Sequence, residues 1–211
     1  MKVFIAAKVE QQKEMQLKNT AEDISLIFAT DCEHLDEPIS FDAIFLLDEN
    51  LTIDLDRFSS TPLFVNSVVD TLAEKNYAPN VSRINGWPGF LKRTTWEVAT
   101  RDLETTAKIF ERLGWGFAVV NDVPGLVSAR VIAMIVNEAY FALGEGISSE
   151  EEINLAMKLG TNYPMGPFEW ANKIGICPIY QLLTHLSEKN TRYRVAPLLE
   201  QQSRERATYL S

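Results

Sequence analysis

Residues 126–143 constrain this chain more than any other stretch. Leu126, Val127, Val131, Ile132, Ile135, Val136, Ala139, Tyr140 and Phe141 cover most of a helical circumference. A helix that is apolar nearly all round must be buried on more than one side. Arg130, Asn137 and Glu138 interrupt the run, which makes it too polar and too short to span a bilayer. Pro124 stands where the first helical turn tolerates proline, because its missing N–H would have no intrahelical partner there. The pattern therefore predicts the central helix of a helical domain, beginning near Pro124 and also serving a subunit interface that includes Ile132.

The totals narrow the class. A chain of 211 residues holds one large domain or two small ones. Its net charge of -9 disfavours nucleic acid, which requires a basic face. No basic amphipathic helix points to a membrane surface, and the apolar run after Met1 is too short for a signal peptide. Cys32 and Cys177 lie far apart without metal-ligand spacing, which reads as reduced thiols in a cytoplasmic protein.

Taken in order, residues 3–7, 24–29, 43–47 and 63–66 are short apolar runs that read as strands. Polar stretches separate them: 8–18 reads as a solvated helix, 32–40 as an acidic loop broken by Pro38, and 68–75 as a short helix. Continuous apolar strands of this kind imply a sheet covered on both faces and mostly parallel. From 81 to 89 the chain carries turn signals after a short strand; another strand at 94–99, a helix at 102–113 with Asp102 as N-cap and Gly114 as stop, and a last strand at 115–120 complete this part. From Asp122 onward only helical patterns remain. The expected organisation is an α/β domain over 1–121 and an all-α domain over 122–211. In the second, Ser149-Glu-Glu-Glu152 has the spacing of a capping box. Helices follow near 152–160, 166 or 167 onward, and 178–186. The tail from 193 is a final helix packed by Leu198, Leu199 and Tyr209.

An ordered set of motifs crosses the helical part: Asp122-Val-Pro-Gly-Leu126, Asn137-Glu-Ala139, Ser149 to Gly160, Tyr163-Pro-Met-Gly-Pro-Phe-Glu169, Gly175, and Arg192-Tyr-Arg-Val-Ala-Pro-Leu-Leu199. In these the chain resembles the L-3-hydroxyacyl-CoA dehydrogenases, especially the 3-hydroxybutyryl-CoA type. The resemblance implies α/β plus all-α architecture: a shortened, Rossmann-like and mostly parallel sheet, then a helical dimerisation domain like the 6-phosphogluconate dehydrogenase C-terminal domain. It also implies NAD, a 3-hydroxyacyl-CoA or 3-oxoacyl-CoA substrate, and a homodimer held by the helical domain. Pro164 and Pro167 stiffen the backbone around Gly166, which allows a close approach by a ligand or fixes the angle between two helices.

Three departures set the chain apart from that family. Its catalytic histidine opens a segment twelve residues before a glutamate; counted back from Glu97 the position is Asn85, and Ile84 or Arg83 if the register shifts. His34 and His185 lie elsewhere. In the opening helix Ala129 replaces an asparagine of the substrate site, and alanine has no hydrogen-bonding side chain. After the first strand, Ala6-Ala-Lys-Val-Glu-Gln-Gln12 contains no glycine, whereas a dinucleotide needs glycines so that backbone can approach its pyrophosphate. NAD is therefore expected to bind weakly or not at all.

The resemblance carries over Glu97 as the remnant of the catalytic pair, Ser67, Met165 and Pro167 as acyl-site residues, and Asp31 as a ribose ligand. No metal is expected, since no His, Cys and carboxylate spacing suits one. Two readings follow. The chain is an oxidoreductase-like homologue with altered chemistry, or it is an inactive homologue acting as an acyl-CoA-binding, regulatory or scaffolding dimer.

Overall fold

A computed structural model describes residues 1–32, 40–51 and 53–209, the last by its backbone alone. The chain divides into two compact units, Met1–Leu126 and Val127–Ser211. The division falls five residues beyond the 121/122 boundary read from the sequence. Asp122 and Gly125 account for the difference: the Asp122 carboxylate accepts from Leu72 N and binds Arg83, and Gly125 N donates to Val68 O.

The first unit is built on a seven-stranded sheet: β1 (Lys2–Ala6), β2 (Ser25–Ala29), β3 (Ala43–Leu46), β4 (Leu63–Asn66), β5 (Val81–Ile84), β6 (Thr95–Ala99) and β7 (Gly116–Val119). The spatial order is β2-β1-β3-β4-β5-β6-β7. Every pairing is parallel except β5 with β6. The chain moves outward from β1 to β2, then returns to the other side of β1 with β3. That reversal creates the crevice at the C-terminal strand ends where sheets of this kind hold ligands.

Burial follows from composition. β1, β3 and β4 are apolar on both faces and almost wholly buried. Phe45 of β3 is the hub of one face: its ring stacks on Phe64 at 4.6 Å and meets Trp96, Trp115 and Phe110 edge-on at 5.9, 5.6 and 6.3 Å. Helix α2 (Leu103–Leu113) contributes Phe110 and Leu113 to this core. Its ends match the sequence signals, with Asp102 accepting from Thr105 N and Gly114 left-handed at φ 68°.

Helix α1 (Val9–Met15) is not the solvated helix its composition suggests. Gln11, Glu14 and Met15 are buried, and the two polar side chains are matched to backbone groups of the sheet rim. The stretch 68–75 forms turns, not a helix: Thr71 N donates to Glu74, and Leu72 N donates to Asp122. The expected acidic loop, with His34 and Pro38, lies outside the described residues over 33–39.

In the second unit the helices are α3 (Ser128–Gly144), α4 (Glu150–Thr161), α5 (Pro167–Ile174), α6 (Ile176–Lys189) and α7 (Pro197–Tyr209). Pro124 does not sit in the first turn of α3. It lies in a turn ahead of the helix, followed by Gly125 and Leu126 at φ 80° and 48°. Two left-handed residues cannot continue into a helix directly, so α3 starts at Ser128. Ala129, Ile132, Ala133, Val136, Asn137, Ala139 and Tyr140 of α3 are buried, as a core helix requires. Ile132 is only 5% exposed and belongs to the interior of the unit, not to an accessible subunit contact. Ser149 caps α4 by accepting from Glu152 N, as its spacing announced. α4 ends at left-handed Asn162, and Gly160 lies inside it. In α7, Leu199 is fully buried; the Tyr209 side chain lies outside the described residues.

Phe45→Ala should cost about 3–5 kcal/mol, because four aromatic neighbours lose their common contact. Urea unfolding followed by circular dichroism reads that loss directly.

Candidate functional site

The C-terminal rim of the sheet decides what the first unit can hold. Buried backbone carbonyls there must find donors. In a nucleotide-binding crevice the rim would be lined by glycine backbone, leaving space against the sheet. Here side-chain amides fill that role. Gln11 Nε2 donates to Leu47 O at 2.7 Å and to Gly86 O at 2.8 Å, while its Oε1 accepts from Lys8 N at 2.9 Å. Gln12 Nε2 donates to Ala7 O at 2.8 Å and Ala29 O at 3.0 Å. Asn66 adds a third amide: its Nδ2 donates to Leu47 O at 2.9 Å and its Oδ1 accepts from Gly86 N at 2.8 Å.

Gln11 and Asn66 thus share Leu47 and Gly86 between β3, β4 and the end of β5, and Gln12 separately ties the ends of β1 and β2. Gly86 is needed for the first arrangement, because a Cβ there would lie 2.7 Å from Asn66 Cγ. Ala6 and Ala7 are both fully buried at the same edge. The residues present do not fit the pyrophosphate of a dinucleotide. The approach that glycine would permit is closed by two Cβ atoms, and the polar partners are already bonded to each other. α1 gave no glycine signal in the sequence, but its glutamines carried no readable signal that they would turn inward.

Above the crevice, Lys8 Nζ lies 3.3 Å from Asp48 Oδ1, and the indole of buried Trp87 donates to Glu49 Oε1 at 3.0 Å. Glu49 is an exposed residue overall, yet its carboxylate is hemmed in by protein. That desolvation raises its pKa to about 7, against the pull of the Trp87 bond and of Lys8 and with the push of Asp48 and Asp70.

The sequence-derived residues are distributed unevenly. Ser67 follows β4, Asn85 follows β5 and Glu97 lies in β6. The pairs Asn66 with Ile84, and Ile84 with Val98, fix the register. Carried one residue further, that register sets Ser67 and Asn85, just past the ends of β4 and β5, in a row with Glu97 of β6. Asn85 is buried and its Oδ1 accepts from Trp87 N at 3.2 Å. Ser67 Oγ donates to Asp70 O at 3.0 Å. Asp31 is not part of this group: it follows β2, five strands from β6, roughly 24 Å away at about 4.8 Å per strand.

Beneath this row runs an ion pair that sequence reading missed. Arg83 of β5 is wholly buried, and it donates through Nη1 to Asp122 at 2.5 Å and through Nε to Ser67 O at 2.7 Å. Burial lowers the guanidinium pKa, and Asp122 opposes that shift. Strand position gave no warning, since an arginine within four residues of apolar strand reads as an edge or an error.

Met165 and Pro167 belong to the helical unit. Gly166 is the N-cap of α5, and a Cβ on it would lie 2.6 Å from the Cα of Asn154 in α4. The close approach that this glycine permits is therefore that of a second helix. Around it, Phe168 N donates to Asn154 Oδ1 at 3.0 Å, Gly166 N donates to Glu169 Oε2 at 2.8 Å, and Lys158 Nζ meets Glu169 Oε1 at 2.5 Å. The Lys158 contact and then the Gly166 bond lower the Glu169 pKa. Pro167 lines an apolar trough of about 270 Å³ with Ile135, Ala139, Ala142, Ile153 and Met157, while Met165 lies outside it. Ala129, at the position of the lost asparagine, is fully buried in α3.

Residues 125–207 match the family model of the 3-hydroxyacyl-CoA dehydrogenase C-terminal domain. A 3-hydroxyadipyl-CoA dehydrogenase of Escherichia coli is 43% identical over 86 residues, 40% of this chain and 18% of that protein. The crystal structure of the E. coli 3-hydroxybutyryl-CoA dehydrogenase superposes with a TM-score of 0.59 at 31% identity, over 69% of this chain and 32% of that one. A (S)-3-hydroxybutyryl-CoA dehydrogenase from Ralstonia eutropha shares the fold with a TM-score of 0.60 at 24% identity, over 83% of this chain and 69% of that one. The first three curated relatives are matched over only 18%, 32% and 36% of their own lengths. The chain thus resembles the 3-hydroxyacyl-CoA dehydrogenase family, and its two-part fold, a Rossmann-like sheet followed by helices, is the one read from the sequence. Among the described residues no helix is long and apolar enough to cross a membrane.

Two measurements test this geometry. Gly166→Ala should destabilise the protein by about 1–3 kcal/mol, because the added methyl must push α4 and α5 apart; a thermal melt reads the change. Glu49 binds its proton more tightly folded than unfolded, so stability should fall as pH rises from 4.5 to about 7. Glu49→Gln, which cannot ionise, should flatten the stability profile across that window.

Proposed function

We propose that this chain is a 3-hydroxyacyl-CoA dehydrogenase-like protein that has lost the family's hydride transfer and acts as an acyl-CoA-binding, regulatory or scaffolding homodimer. The observation that carries the reading is the Gln11 carboxamide bonded to Leu47 O, Gly86 O and Lys8 N within the crevice. With those groups paired to each other and no glycine in the turn, NAD binds weakly or not at all, and the oxidant of the reaction is missing.

The acid–base side of the chemistry points the same way. In the row of Ser67, Asn85 and Glu97, the middle position is the one that would take the hydroxyl proton. An amide oxygen accepts a hydrogen bond but does not take a proton near neutral pH. Loss of a general base alone costs about 10²–10⁴ in rate. The position twelve residues before Glu97 holds Asn85 and not a histidine. Ser67, Met165 and Pro167 are retained in this reading as acyl-contact residues, and Asp31 as the vestige of a ribose ligand. Asp31 lies too far along the sheet to act with Glu97. No metal has a part, and the location is cytoplasmic.

The alternative reading, an oxidoreductase with altered chemistry, rests on the resemblance of residues 125–207 to a family named for that activity. Thermal melting with NADH and with acetoacetyl-CoA, added separately, separates the two. We expect a rise in melting temperature with the CoA ester and none with NADH, and no NADH consumption when both are present. Turnover of NADH would overturn the inactive reading. Absence of a shift with either ligand would remove acyl-CoA binding and leave the scaffolding role.

A further inference from the structure

The helical unit holds a cavity of about 400 Å³ bordered by Tyr180, Thr184, Thr191, Arg194 and Glu200. A spacing of four places Tyr180 and Thr184 on one face of α6. Thr191 opens the short turn Thr191–Tyr193, Arg194 ends it, and Glu200 stands in the first turn of α7. Separate segments thus bring three hydroxyls, a guanidinium and a carboxylate to one space. Their hydrogen bonding is incomplete. Thr184 Oγ1 is buried and has no hydrogen-bond partner among the described residues. A helical threonine can bond back to a carbonyl one turn earlier. Thr184 does not, although Ser187 makes such a bond to Thr184 O at 2.8 Å. Buried polar atoms are paired in nearly all folded proteins, so an orphan beside a cavity calls for an acceptor there. Arg194 lies over the Phe141 ring, its Cζ 5.3 Å from the centroid. That contact holds the guanidinium without using its N–H groups, and none of them meets a carboxylate among the described residues. Glu200 is tied to Arg204 instead, whose Nη2 donates to Oε1 at 2.5 Å, and Oε2 takes no donor among the described residues.

We propose that this cavity binds a small hydroxycarboxylate: Arg194 and the Thr184 hydroxyl hold its carboxylate, and its own hydroxyls donate to Glu200. The guanidinium matches a carboxylate in charge and in planar geometry. A phosphate dianion would bring a second negative charge beside Glu200, which disfavours it. A purely apolar acid would leave the free oxygen of Glu200 and the Tyr180 and Thr191 hydroxyls without partners on the ligand. Size sets the other limit. At about 30 Å³ per water-sized group, the cavity accommodates roughly thirteen non-hydrogen atoms, the size of gluconate and far short of a coenzyme A ester. All of these residues belong to the helical unit, and the proposal is independent of whether NAD or an acyl-CoA binds in the crevice.

The test is calorimetric titration of the full chain with gluconate, sorbitol and inorganic phosphate. Gluconate should bind. Sorbitol, which has the same carbon chain without the charge, should not, and phosphate should bind about tenfold more weakly. Arg194→Gln should abolish gluconate binding. Thr184→Val replaces the orphan hydroxyl by a methyl group of like size. It should weaken gluconate about threefold while raising the melting temperature of the ligand-free protein, a pairing that a merely structural threonine would not produce. No binding of gluconate overturns the proposal, and so does equal binding of sorbitol or of phosphate. An unchanged gluconate affinity in Thr184→Val overturns it as well. Should Arg194→Gln lose its fold, Glu200→Gln decides: with the repelling charge removed, phosphate should gain on gluconate, and an unchanged ratio overturns the proposal.

Discussion

The paired amides at the sheet rim govern what the α/β unit can be. Five backbone carbonyls, those of Ala7, Ala29, Leu47, Gly86 and, through Arg83, Ser67, end at the C-terminal edge and take side-chain donors from the chain itself. A buried polar set of this kind is stable only when each member is satisfied. Gln11 meets that demand with both N–H groups and its oxygen in use. Remove it and Gly86 O loses the Gln11 donor while Leu47 O keeps only that of Asn66, in a region walled by fully buried Ala6, Ala7 and Leu47. The packing of α1 on the sheet, the position of Gly86 and the placement of Trp87 all follow from how this edge is closed.

The helical unit is governed by a different constraint, the distance between α4 and α5. Gly166 lets the start of α5 touch the backbone of α4, and Asn154, Lys158 and Glu169 tie the contact by hydrogen bonds and an ion pair. The residues that make the Tyr163–Glu169 segment recognisable are thus the residues that set a helix crossing. A motif that names a family can be held in place by packing alone. Its presence then says nothing about whether the chemistry carried by other residues survives.

Much of the fold was legible because it depends on apolar runs and end signals. Leu63 to Asn66, Asp102 with Gly114, and Ser149 with Glu152 formed the elements their local chemistry predicts. What was not legible depends on partners distant in sequence. Gln11 and Glu14 look solvated until Leu47, Gly86 and Gly89 are brought against them from up to 75 residues away. Pro124 looks like a helix start until Asp122 is captured by Arg83 and the chain must turn through Gly125 and Leu126. Ile132 looks like any other apolar residue of α3, and only the packed structure shows it as interior while Val131 beside it is half exposed. For the site, the sequence showed positions that differ from the family's pattern, while the structure shows how Gln11, Gln12 and Asn66 are bonded at the sheet rim.

The glutamine that closes the crevice is part of the same covalent chain as the groups it binds. It cannot be diluted. A tethered group meets its partner at an effective concentration in the millimolar range or above, whatever the concentration of the protein. Any free molecule seeking the same carbonyls and the same amide competes against that standing occupancy, and its apparent affinity falls by the fraction of time the crevice is open. The affinity of any such molecule is therefore set by the equilibrium of opening as much as by fit, and that equilibrium belongs to a seven-residue helix.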